Sequence, residues 1–388
     1  MPTASRIERK DPVVVVGGGP AGACAALHLA RAGGRVVLLE RSTPPRPKVC
    51  GGGVVARAWR ELPDGLRLPV RREARRVELV DHAGRAHVVE RSTPIVSLVL
   101  RDEFDHALLD AARAAGVEVR TNCRLLGLRA GDGASLPADA SSLLLDTNLG
   151  ELRASLLVAA DGAHSDCARF AGFAPSAKGT PALEAEVHGA PRGRGDAVVF
   201  DFARAPHGYA WSFGKDEQVS AGVLTLRGEP SPRALLPAIL VAHGLADARS
   251  CDIQGQIIPA RPRRTLARGR VLLVGDAAGL ADPLTYEGIS PALRSGRLAA
   301  RAALEPESAA RTYSRALRAD LVPELRRARW LAHVVYERPA LARALFSAAG
   351  ASLCEAMVSI IAGEKSYASF LRSPRGWWRL ASAALSTR

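Results

Sequence analysis

The chain has 388 residues, 47% of them hydrophobic, and a formal net charge of +14 at pH 7. That length suits two or three domains around a large core, and the hydrophobic share excludes an intrinsically disordered chain. Nearly all of the positive charge is arginine (the only lysines are Lys10, Lys48, Lys178, Lys215 and Lys365), and no compact basic block interleaved with aromatics marks a nucleic-acid binder.

The six cysteines are scattered and form no C-x-x-C pair, so no metal site is expected. Residues 1–11 are polar and contain no secretion-type apolar stretch, and no apolar run reaches the ~18 residues of a bilayer span. A reduced, cytoplasmic protein is the expectation. The arginine excess also leaves attraction to an anionic membrane surface open.

In chain order, the valines at 13–16 read as a short buried strand. Gly17, Gly19 and Gly22 follow at G-x-G-x-x-G spacing. Gly17 permits the turn, Gly19 lets a pyrophosphate approach the backbone, and Gly22 lets the next helix pack close. That helix is expected over 21–32, with its positive end toward the phosphates. A second strand over 35–39 ends at Glu40, whose carboxylate can accept both ribose hydroxyls. Strand, turn, helix, strand and terminal acid together predict an ADP-containing dinucleotide, either FAD or NAD.

Residues 41–53 read as an extended proline loop closing on Cys50-Gly51-Gly52-Gly53, with Cys50 expected at the cofactor. Two strands are expected within 71–90, around a turn at 81–84, and another over 94–100. A helix from 101 to 115 stops at Gly116. Strands are read at 117–119, 123–128, 143–145 and 156–160, the last running into Asp161-Gly162. Residues 195–226 hold short strands, and Tyr209, Trp211 and Phe213 fall on one face at period two. They suit either a packed sheet face or a cavity wall. A strand at 271–274 runs into Gly275-Asp276, and a helix is expected from near Gly288. From about 306 onward the pattern is helical.

On these motifs the chain resembles the FAD-dependent oxidoreductases of the p-hydroxybenzoate-hydroxylase fold, and within them the geranylgeranyl reductase family. The resemblance covers nearly everything up to about residue 330. Arg101 with Phe104 and Asp105, Asp161-Gly162 and Gly275-Asp276 match superfamily motifs. The Cys50-Gly51-Gly52 loop and Tyr209-x-Trp211-x-Phe213 resemble stretches particular to the reductases. Two positions depart from their pattern: Gly214 stands for a proline, and Tyr286 for a glycine beside the flavin.

The resemblance implies an α/β (α+β) fold in three parts. A Rossmann-type FAD-binding domain takes 11–70, 95–175 and 265–305. An inserted antiparallel substrate domain takes 71–94 and 176–264, and a helical region takes 306–388. It implies cofactor contacts at Gly17, Gly19, Pro20, Ala21, Gly22, Glu40, Arg41, Cys50, Gly51, Gly52, Arg101, Asp161, Gly162, Gly275, Asp276, Pro283, Gly288 and Ile289. Cys50, Tyr209, Trp211 and Tyr286 are the catalytic or cavity residues.

The implied activity is hydride transfer from reduced FAD to a C=C bond of a lipophilic, prenyl-like substrate. A flavin monooxygenase is the alternative, and an electron-transfer flavoprotein serving a quinone a more distant one. No second dinucleotide fingerprint is present, so NAD(P)H would bind transiently or a protein would deliver electrons. Leu345, Phe346, Met357, Val358, Ile360 and Ile361, with Trp377 and Trp378 between arginines, suit either a packed helical cap or a peripheral membrane contact.

Overall fold

The computed structural model describes residues 11–133, 140–189, 197–246 and 250–372. Its first layer is a doubly wound sheet. Val13–Val16 lies at its centre, paired in parallel with Val36–Leu39 on one side and Leu156–Ala159 on the other. Glu118–Arg120 and Val271–Leu273 extend the parallel sheet outward, and Ala267–Arg268 closes one edge antiparallel. The central strands are buried along their whole length, as their unbroken Val and Leu runs require.

The helix Pro20–Arg31 packs on this sheet and on the helix Ile289–Ala303. Small residues make the approach close. A Cβ on Gly22 would lie 1.9 Å from the Gly17 carbonyl oxygen, and one on Gly296 would lie 2.3 Å from that of Ala21. The helix Arg101–Ala114 follows its expected span and ends before Gly116, whose φ is +95°.

The second layer is a seven-stranded sheet. In order across it lie Ser250–Ile258, Thr180–His188, Gln218–Thr225, Gly208–Gly214, Ala197–Asp201, Arg76–Val80 and Ala86–Glu90. All pairings are antiparallel except that between Ala197–Asp201 and Arg76–Val80. The helix Pro232–Ala242 covers its far face, so Ala185, Ala210, Ala221 and Val223 form a separate small core with Leu236 and Ile239. Gly150–Ala154, Thr180–His188 and Ser250–Ile258 are strands additional to those expected from the sequence.

The chain then runs through Ala309–Ala319, Leu321–Ala332 and Pro339–Ile361. Among the described residues, only Pro339–Ile361 is long and apolar enough to cross a bilayer by length and composition. Leu345, Phe346, Val358, Ile360 and Ile361 are all buried in the protein, and Arg343, Ser347, Ala348, Ala351 and Glu355 face outward. Trp377 and Trp378, the other part of the membrane expectation, lie outside the described residues.

Candidate active site

The carboxyl ends of the parallel strands open into one cavity of about 650 Å³, walled on its other side by the seven-stranded sheet. A doubly wound sheet puts ligands at this end, where successive loops diverge. Gly17, Gly19, Pro20 and Ala21 line it at one end, with Glu40, Arg41 and Asp161-Gly162.

The glycines divide the labour. Gly17 has φ +107°, and a Cβ there would lie 2.3 Å from the Ala160 carbonyl oxygen. At Gly19 the backbone is ordinary and extended, and a Cβ would meet nothing closer than Arg46 Nη2 at 3.8 Å. Gly19 therefore leaves space over the N-terminus of the 12-residue helix, with Arg46 as a cation beside it. A pyrophosphate fits that donor set: unpaired helix N–H groups, a positive dipole end and a guanidinium. Glu40 is 3% exposed. Its Oε2 accepts the Gly18 N–H at 2.8 Å and its Oε1 that of Ser42 at 3.0 Å, so the acid shapes the loop as well as facing the cleft. Asp161 likewise accepts from the Ser165 hydroxyl at 2.6 Å and the Cys167 N–H at 2.9 Å.

Further along the cavity lie Lys48, Cys50, Gly51, Gly52, Arg101 and Asp276. Arg101 holds Asp105 through two bonds of 2.9 and 2.8 Å, and Arg46 lies 3.8 Å from the same carboxylate. Burial pushes the Asp276 carboxyl up, opposed by the nearby charges of Lys48 and Arg101. Burial and Arg101 push Lys48 down. Gly51 lies against the aromatic wall, where a Cβ would be 3.0 Å from Phe213 and 3.2 Å from Trp211 Nε1. That indole N–H is buried without a hydrogen-bond acceptor, so an acceptor on a bound molecule would satisfy it.

The aromatic wall comprises Tyr209, Trp211, Phe213 and Phe200. All seven residues of the strand Gly208–Gly214 are buried. Its small residues Ala210 and Ser212 point to the helix-covered side, and the rings point to the cavity. Tyr209 Oη donates to the Thr285 carbonyl and Tyr336 Oη to that of Leu284. Asp282 Oδ1 accepts the N–H groups of Leu284 and Thr285, and Tyr367 Oη donates to its Oδ2 at 2.8 Å. Within this fastened loop Tyr286 has φ +54°, a left-handed conformation that suits glycine. Its ring narrows the cavity beside Tyr209 and Tyr336, and its hydroxyl lies 3.2 Å from Thr180 Oγ1.

Of the cofactor and catalytic or cavity residues expected from the sequence, all but three line this one cavity. Gly22, Gly275 and Pro283 stand behind it. Gly22 and Gly275 act through packing: a Cβ on Gly275 would sit 3.0 Å from that of Ala21, and its N–H donates to Ser295 Oγ. Pro283 is buried behind the Asp282 loop. Six charged cavity residues were not among the expected site residues: Arg46, Lys48, Arg124, Asp166, Glu184 and Glu287. Burial raises the Glu287 carboxyl to about 7 against the opposing charge of Arg57, and its Oε1 accepts the Ser290 N–H. Burial and the charge of Glu186 raise that of Glu184 to about 7, opposed by Lys215.

A doubly wound dinucleotide cleft continuous with an apolar, sheet-walled cavity defines a flavoprotein oxidoreductase. Residues 10–223 match the FAD binding domain family. The chain is 32% identical over 309 residues to digeranylgeranylglycerophospholipid reductase 1 of Methanopyrus kandleri, covering 76% of this chain and 80% of that protein. It is 31% identical to the geranylgeranyl diphosphate reductase of Rhodobacter capsulatus, covering 76% of this chain and 75% of that one. Among solved structures, a geranylgeranyl bacteriochlorophyll reductase-like protein of Thermoplasma acidophilum superposes with TM-score 0.74 at 23% identity, covering 84% of this chain and 87% of that one. The chain belongs to the geranylgeranyl reductase family of FAD-dependent oxidoreductases. A flavin-dependent halogenase shares the fold alone, at TM-score 0.63 and 20% identity.

Proposed function

We propose that this enzyme reduces C=C bonds of a prenyl-like lipid in the aromatic half of the cleft. The observation that carries this reading is continuity: the wall of Phe200, Tyr209, Trp211 and Phe213 and the dinucleotide end belong to one cavity, joined at the Cys50-Gly51-Gly52 loop. Reduced FAD supplies the hydride. The chain supplies the rest. Gly19, Arg46 and the helix N-terminus hold the pyrophosphate, and the aromatic wall takes an apolar chain and keeps water from it. Tyr286 limits the width beside the loop 282–288, so the chain that fits is slimmer than glycine there would admit. Electrons arrive from transiently bound NAD(P)H or from a protein donor.

The test is anaerobic. The bound flavin is reduced chemically, candidate prenyl alkenes are added, and reoxidation is followed by absorbance with the product weighed by mass spectrometry. Reoxidation with a gain of two hydrogens per double bond supports the reading. Reoxidation that requires oxygen and adds oxygen to the product refutes it in favour of a monooxygenase.

A further inference from the structure

We propose that Glu184 is the acid that protonates the second carbon of the alkene in this cleft. The inference rests on the proposed alkene reduction. It starts from the strand Thr180–His188, whose alternation splits it. Ala185 and Val187, with Leu183 beside them, pack into the core under the helix Pro232–Ala242. Glu184 and Glu186 therefore project to the opposite face, and for Glu184 that face is the cavity. Its 5% exposure takes it out of bulk water, yet it lines the space where the substrate chain would lie. Its Oε1 accepts the Cys50 N–H at 3.2 Å, which fixes the carboxyl to the glycine loop that joins the two halves of the cleft.

The hydroxyls of the two cavity tyrosines are engaged. The Tyr209 hydroxyl donates to Thr285, and Tyr286 is paired with Thr180. Glu287 lies 3.6 Å from Arg57 and holds the Ser290 N–H. Among the described residues no arginine pairs with Glu184. The groups facing it are Glu186 on its own strand, Lys215 at the end of the neighbouring hairpin, and Ser220 on the strand Gln218–Thr225. On the edge strand Gln254 lies opposite Glu184 and Asp252 opposite Glu186. Lys215 is 3% exposed at its side chain and spends its charge on Glu186, at 3.0 Å, where Gln218 also donates at 3.1 Å. Burial first, and then the charge of Glu186, hold a proton on Glu184 to about pH 7 against the opposing charge of Lys215.

The step balances. The alkene receives a hydride at one carbon, and its π pair forms the second C–H bond with the Glu184 proton. The alkene gains two electrons, the reduced flavin loses two, and the Glu184 carboxylate recovers its proton from water.

The experiment compares the FAD-loaded wild type with Glu184→Gln and Glu186→Gln under anaerobic single turnover. Glutamine can still accept the Cys50 N–H, so the loop keeps its anchor. Glu184→Gln should slow reoxidation by prenyl alkene by about 100-fold or more, the usual scale of a general acid. The wild-type rate should fall as pH rises through about 7, and Glu186→Gln should move that fall to lower pH. Infrared spectra of the cofactor-free protein between pH 6 and 8 should show a protonated carboxyl band that Glu184→Gln removes. A Glu184→Gln rate and pH profile equal to wild type overturns the assignment, and so does an unchanged infrared spectrum. Should Glu184→Gln fail to fold, an unmoved profile in Glu186→Gln overturns it instead. A wild type that reduces no alkene refutes the proposed function, while the infrared band still reports on Glu184.

Discussion

Replacing Tyr286 by glycine and, separately, by alanine separates two energies that the fold sets against each other. The backbone at Tyr286 has φ +54°, and a side chain in that region costs about 1–2 kcal/mol. Either substitution removes a ring that is 9% exposed. Deleting a buried aromatic costs about 3–5 kcal/mol, and the lower end applies here because one flank of the ring meets the cavity and not protein. Glycine recovers the backbone term, so Tyr286→Gly should lose about 1–2 kcal/mol net. Alanine recovers none of it and should lose about 3 kcal/mol. In a regular helix or strand the order is the opposite, with glycine about 0.5–1 kcal/mol worse than alanine. Denaturant midpoints of the two variants, read at equal slope, measure the difference. An alanine variant as stable as the glycine variant would refute the strain argument. The glycine variant should also accept a bulkier alkene than wild type in the anaerobic assay.

Other expectations follow from the same geometry. Gly19→Ala should fold with near wild-type stability and lose FAD, because its Cβ enters the cleft. Gly22→Ala should fail to fold, because its Cβ meets the Gly17 carbonyl at 1.9 Å; calorimetry and flavin absorbance distinguish them. Cys50→Ala should keep flavin and melting temperature while changing alkene reduction, since the half-buried thiol contributes little packing and lies in the cleft. Glu184 and Glu287 are raised from 4.5 to about 7. Their native states therefore favour the proton, and the stability they add is complete below pH 4.5 and lost as pH rises through 7. Melting temperatures of the cofactor-free protein should fall between pH 5 and 8, and Glu287→Gln should flatten that slope. Below pH 4 the opposite applies to Asp201, which His243 and Arg204 hold under the usual carboxylate range despite its burial.

The dinucleotide half of the cleft was legible from the sequence because its requirements are local. Val13–Val16, the three glycines and Glu40 lie within one strand–helix–strand unit, and each answers a constraint that only its residue type meets. The aromatic wall was legible only as a choice between core and cavity, because period two places Tyr209, Trp211 and Phe213 on one face without saying what covers it. Thr180–His188 was missed for a physical reason. Alternating glutamates normally mark a wetted strand face, and here that face is turned into a cavity by a loop more than a hundred residues earlier in the chain. Ser250–Ile258 was missed because it is a sheet edge, largely exposed, and so carries no burial pattern. The oddity at Tyr286 was visible against the family pattern, but its left-handed backbone was not.

The loop 282–288 is fastened by three phenol hydroxyls from distant parts of the chain. Tyr209 reaches it from the sheet, and Tyr336 and Tyr367 from the C-terminal helices. The helical region is therefore no transplantable module. Exchanging it for a helical region without these two tyrosines would unfasten two of the three ties on a loop whose Thr285, Tyr286 and Glu287 line the cavity. A chimaera at this junction changes the reaction chamber even when every chamber residue is kept. The practical unit of exchange is the helices together with Asp282–Gly288, or neither.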